Sequence, residues 1–137
     1  MSCATQTCQD ALITDLQFGF MGAVSSVDPR PVVVAGPAGD GLVEGRRCTA
    51  CAEPSAFTWP ACPTCGGPVE PARFGPGGTV WSATVVRIPV ADRTPPYALA
   101  YVDLDDGPRV LAHSAAPIPI GARVRLLAAA ELRVERT

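Results

Sequence analysis

Apolar and polar positions begin to alternate as strands only in the second half of this chain. Residues 79–89 read TVWSATVVRIP, β-branched and aromatic runs that suit a highly twisted strand, with Trp81 expected in its core. Residues 97–104, YALAYVDL, end in Asp105-Asp106-Gly107, a hairpin-turn signal, and residues 109–113 supply the returning strand. Residues 122–127, reached through Ile120-Gly121, and residues 131–136 predict two more strands. Five short strands with almost no helix signal in about 60 residues have the size and rhythm of a small Greek-key barrel, the OB-fold. A sandwich needs more strands.

The first half has no such period. Residues 10–22 suit a short amphipathic helix, with Leu12, Leu16, Phe20 and Ile13 towards one side. Pro29, Pro31 and Pro37 and four glycines between Gly36 and Gly45 then interrupt any regular pattern, leaving Val32-Val33-Val34 as an isolated strand signal. The predicted organisation is an N-terminal arm over residues 1–45, a short helix or disordered. A Cys- and Pro-dense ribbon over 46–67, a Pro/Gly connector over 68–77 and the barrel over 78–137 follow it. The class is therefore mainly β: an arm, a rubredoxin-like zinc ribbon and a five-stranded OB-fold barrel.

Charge narrows the partners. The 137 residues carry a formal net charge of −2, with 11 basic and 13 acidic side chains, and every basic residue is arginine. Residues 1–45 sum to −4, from five acids and Arg30, whereas residues 46–137 sum to +2, from ten arginines and eight acids. Four thiolates holding a divalent cation add −2 and bring the second part to zero. Neither part has the positive excess of a nucleic-acid binder, so no nucleic-acid partner is expected. No apolar run approaches the length of a membrane span, and no export signal precedes the moderately apolar residues 11–24. The chain reads as cytoplasmic.

The densest chemistry is Cys48-Thr49-Ala50-Cys51, ten residues, then Cys62-Pro63-Thr64-Cys65. Two C-x-x-C pairs at short separation are the pattern of two knuckles closing on one tetrahedral ion. The turn inside each pair points both sulfurs inward, and a small residue after it frees backbone N–H groups to hydrogen-bond the thiolates. Gly66 provides this in the second knuckle; Ala52 fits less well in the first. Disulfides or a redox pair are the competing readings, and a cytosolic chain disfavours the first. Structural Zn²⁺ on Cys48, Cys51, Cys62 and Cys65 is the expected occupant, with iron the alternative for the same ligand set. Four thiolates close the shell and leave no position for catalysis at the metal.

Other candidates are weaker. Cys3 and Cys8 are too few to build a second site and read as free thiols. His113, the only histidine, lies in a strand-like run without a nucleophile or acid cluster around it. Asp103, Asp105 and Asp106 look like the start of a calcium loop, but no closing Glu follows, and a hairpin turn explains them better. No nucleophile elbow, P-loop or dinucleotide fingerprint is present, so no catalytic residue is assigned. Phe57 and Trp59, in a short zinc loop, and Tyr97, after Pro95-Pro96, read as exposed apolar side chains at a partner interface.

Taken together, the two knuckles, the run from Gly75 to Val86 (GPGGTVWSATVV), the run from Pro95 to Gly107 (PPYALAYVDLDDG) and the Ile120-Gly121-Ala122-Arg123-Val124 segment resemble the zinc-ribbon/OB-fold proteins that accompany thiolases. The likeness covers roughly residues 42–137. It implies a non-catalytic accessory subunit of a thiolase-superfamily enzyme (a thiolase, an aldolase or an acyltransferase) that forms or cleaves C–C bonds on acyl-CoA. The partner would form a hetero-oligomer with this chain and supply the catalytic groups. This chain would brace the partner and help shape the site for the acyl-CoA, which is the complex's substrate. Two alternatives rest on the residues alone: a single-strand nucleic-acid-binding OB protein, and a stand-alone acyl-CoA or lipid carrier.

Overall fold

The computed structural model describes residues 30–137, all β and turn with no helix among them. The expected helix over residues 10–22, together with Cys3 and Cys8, lies outside the described residues. Nine strands follow in order: β1 (Val32–Ala35), β2 (Gly41–Cys48), β3 (Pro54–Ser55), β4 (Val69–Phe74), β5 (Gly77–Val86), β6 (Tyr97–Leu104), β7 (Arg109–Ser114), β8 (Arg123–Leu127) and β9 (Arg133–Arg136). The first four make one small antiparallel sheet around β2, and the last five close into a barrel in the order β5-β6-β7-β9-β8.

That order is the OB arrangement. The barrel pairs are antiparallel except β7 with β9, which run parallel through His113 opposite Arg133 and Ser114 opposite Val134. Each barrel strand predicted from the sequence is present within three residues of its expected limits, because the local apolar pattern marks it directly. On β6, Ala98, Ala100, Val102 and Leu104 all face inward and are buried, and Val110 and Ala112 answer them from β7. The alanines leave room for strands to curl into a narrow barrel, which Val80, Val124, Leu126 and Val134 fill. The Asp105-Asp106-Gly107 turn forms as expected, with Asp106 at φ 53° and the Gly107 N–H donating to the Leu104 carbonyl at 3.0 Å.

Two expectations need correction. Residues 32–45, expected in the arm, instead form β1 and most of β2, a hairpin whose turn is closed by the Gly36 N–H on the Asp40 carbonyl at 2.7 Å; β2 runs on to Cys48 in the ribbon. Likewise the stretch expected as a connector contains β4, paired with β2 over six residues. The misleading signals have physical causes. Pro71 sits in β4, which pairs only with β2 among the described residues, so its missing N–H takes nothing from a described ladder on the other edge of β4. Gly45 marks a crossing rather than a loop, since a Cβ built there would lie 1.9 Å from the Ser55 carbonyl oxygen. We therefore expect Gly45→Ala to destabilise the chain by about 2 kcal/mol or more. A denaturant midpoint equal to the parent's would contradict that.

The small sheet and the barrel share one core. Val43, Ala56 and Phe74 belong to the same buried cluster as the barrel's Val102, Leu104 and Leu126. Phe74 sits at the joint, with the Arg47 guanidinium 5.3 Å above its ring and Gly107 packed close against it. Arg47 also donates to the Asp106 carbonyl at 2.6 Å, tying β2 to the β6–β7 turn.

Candidate metal centre

Each knuckle is shaped by its own backbone. β2 ends at Cys48, whose Sγ accepts N–H groups from Ala50 and Cys51, both at 3.4 Å. The turn is completed by the Ala52 N–H on the Cys48 carbonyl at 3.1 Å. In the second knuckle the Gly66 N–H reaches the Cys62 carbonyl at 2.9 Å, and the Gly67 N–H reaches the Cys65 Sγ at 3.4 Å. The residue after each pair needs a left-handed backbone: Gly66 has φ 74° and Ala52 φ 64°. Alanine pays for that conformation with strain, which is why it fits the first knuckle less well.

The fold brings the four predicted ligands together. Their Sγ atoms all lie within 4.8 Å of one another, with Cys48 to Cys65 at 3.5 Å and Cys51 to Cys62 at 3.7 Å. A tetrahedral ion with metal–sulfur bonds of about 2.3 Å spaces its sulfurs about 3.8 Å apart, so the cluster fits a metal ion. The same distances are far beyond a disulfide bond, and all four thiols are free. Cys48 and Cys62 are buried, while Cys51 and Cys65 face solvent.

The electrostatics of the four thiols favour a cation. The Cys51 backbone N–H, with help from that of Ala50, pulls the Cys48 thiol down to about 6. The Glu53 N–H acts to lower Cys51 too, but the sulfurs of Cys65 and Cys48 outweigh it and push Cys51 up to about 12. Cys62 is lowered, chiefly by the Cys65 N–H. Cys65 is raised despite the Gly67 N–H, because of Cys48 and burial. Four sulfurs this close cannot all ionise against one another; a divalent cation between them removes the conflict.

The residues expected at a partner interface separate into two groups. Phe57 is 39% and Trp59 52% exposed, and their rings pair at 6.0 Å in the ribbon loop. Tyr97 is half-buried on β6, where it neighbours the His113 ring at 6.0 Å and the Arg93 guanidinium at 5.9 Å. His113 itself packs among Arg93, Arg133 and Glu131, and burial holds its imidazole below the usual range. Asp103 and Asp105 are engaged by Arg109 and Arg123, which fits a braced hairpin rather than a calcium loop.

Trp81 is not in the core. A bulge between Val80 and Ser82 turns it outward, 53% exposed, under the Arg109 guanidinium at 3.7 Å and edge-on to Tyr101 at 6.3 Å. With Tyr101 and Leu111 it makes an outer aromatic face on β5–β7 that the sequence reading missed. The bulge is what hid it, because one extra residue shifts the inside/outside alternation.

A four-cysteine knuckle pair joined through a shared core to a closed OB barrel defines the class of this protein. Residues 71–129 match the family described as the ChsH2 C-terminal OB-fold domain. The matched stretch runs from β4 through β8, so most of the barrel is similar to that OB-fold family, in line with the resemblance of the motifs. Among solved structures the chain is similar to one titled "Ltp2-ChsH2(DUF35) aldolase", at 28% identity and a TM-score of 0.54. The likeness covers 68% of this chain and 83% of that one. Comparison with curated proteins gives no match. No helix among the described residues is long and apolar enough to cross a membrane.

Proposed function

We propose that this chain is a non-catalytic accessory subunit of a thiolase-superfamily acyl-CoA enzyme, bracing the partner and helping to shape its acyl-CoA site. The observation that supports this reading is the likeness, over 68% of the chain, to a chain of the structure titled "Ltp2-ChsH2(DUF35) aldolase", together with the ChsH2 OB-fold match over residues 71–129. The site chemistry agrees with it. The cysteine cluster, once filled, is a closed four-sulfur shell, and we take its ion to be structural Zn²⁺, with iron as the alternative. The chain's one histidine is packed among arginines and a glutamate rather than beside a nucleophile. Phe57 and Trp59 form an exposed aromatic pair suited to anchoring a partner. A cytoplasmic location goes with this reading.

The barrel face on which OB-folds take oligonucleotides, strands β6 and β7, favours a nucleic-acid reading through Tyr101 and Leu111. The electrostatics weigh against it. Arg109 is held by Asp103, Arg123 by Asp105 and Arg125 by Glu135, so little free positive charge remains to track a phosphate backbone.

Co-expression with a candidate thiolase-superfamily enzyme from the same genome tests the proposal. The expected result is a stable hetero-oligomer that turns over acyl-CoA, with no turnover by this chain alone. A well-behaved monomer that cleaves acyl-CoA unaided overturns it.

A further inference from the structure

The face of β2 that carries Glu44 and Arg46 lines a pocket of about 350 Å³, together with Pro71 and Arg73 of β4 and Thr58 of the ribbon loop. Strand register decides its charge. Glu44 stands opposite Arg73 and pairs with it at 3.2 Å, whereas Arg46 stands opposite Pro71, which offers neither charge nor N–H. The Arg46 Nε is buried with no hydrogen-bond partner, and its guanidinium has no ion pair among the described residues. By contrast Arg73, Arg93, Arg109, Arg123, Arg125 and Arg133 each reach a carboxylate. A half-buried guanidinium without a counter-ion is costly, and such orphans point to an ion or ligand.

We propose that this pocket is an anion subsite for the phosphate group of a phosphorylated small molecule, with Arg46 as its principal binding side chain. Phosphate fits the lining better than carboxylate does. Arg46, Arg73 and Thr58 all line the space, and a tetrahedral dianion has enough oxygens to engage all three. The Glu44–Arg73 pair is well exposed and therefore weak, so Arg73 can turn to a bound dianion at little cost. The remaining volume admits the organic part of an ester. The subsite needs this chain alone and stands independently of the accessory-subunit reading.

The test is calorimetric titration of the metal-loaded full chain with inorganic phosphate and pyrophosphate at constant ionic strength, with acetate in parallel and the Arg46 Nε–H resonance followed by NMR. We expect saturable phosphate binding in the millimolar range, tighter for pyrophosphate, with a shift of the Arg46 resonance. Arg46→Gln should weaken it about tenfold or more, with metal content unchanged. Thr58→Val, which leaves the sheet intact, should weaken it less. Absence of saturable binding overturns the proposal, as does equal affinity in Arg46→Gln. Acetate binding as well as phosphate also overturns it and marks the pocket as a seat for a protein carboxylate. Metal loss in Arg46→Gln, with no phosphate binding by the parent, makes Arg46 a counter-charge for the cysteine cluster instead. Should Arg46→Gln fail to fold, the parent's resonance shift and the Thr58→Val titration decide.

Discussion

Cys48→Ser should abolish metal binding and lower the stability of the whole chain by about 4 kcal/mol, the upper end for a single substitution. Cys48 is the buried ligand that takes two backbone N–H groups, so its loss removes a thiolate and leaves both donors facing a poorer acceptor. The segment between the knuckles has little apolar burial of its own, Ala56 being its one core side chain apart from Cys62. Metal binding must therefore supply its folding free energy. The damage should not stop at the ribbon. Cys48 ends the strand that places Val43 in the common core, and its neighbour Arg47 ties that strand to the β6–β7 turn. Metal analysis and thermal denaturation, with and without a chelator, measure both effects. Should the metal be lost while the unfolding transition stays where it was, the ion is not structural.

If the proposed partner docks on the ribbon loop, Trp59→Ala should weaken assembly with it about 30-fold while leaving the metal content intact, as expected for a central aromatic anchor of an interface. Trp59 is 52% exposed and its ring contact is Phe57, itself exposed, so truncation opens no cavity in the core. It contributes no ligand to the cysteine cluster. Trp81→Ala serves as the comparison because that ring lies on the barrel's outer face, against Arg109 and Tyr101. Affinity measured on purified subunits distinguishes the surfaces. If Trp81→Ala is the variant that weakens assembly, the partner docks on the barrel and not on the ribbon loop.

The sequence by itself determined what depends on neighbours along the chain. Two C-x-x-C turns close on themselves, so the clustering of the four cysteines could be read from spacing before any fold was known. The five barrel strands carry their own alternation, and Asp106-Gly107 carries its own turn chemistry, so those too were legible. The tertiary structure decided what depends on residues far apart. Gly45 reads as loop punctuation until Ser55 is brought against it. Pro71 reads as a connector until β4 proves to pair along one edge only among the described residues. Trp81 reads as core until a bulge reverses its side of the barrel. Arg46 reads as one more charge near a metal site until β-sheet register sets it opposite a proline and leaves it without a counter-ion among the described residues. In each case the deciding contact spans strands, and no local pattern of apolar and polar residues encodes which strands will meet.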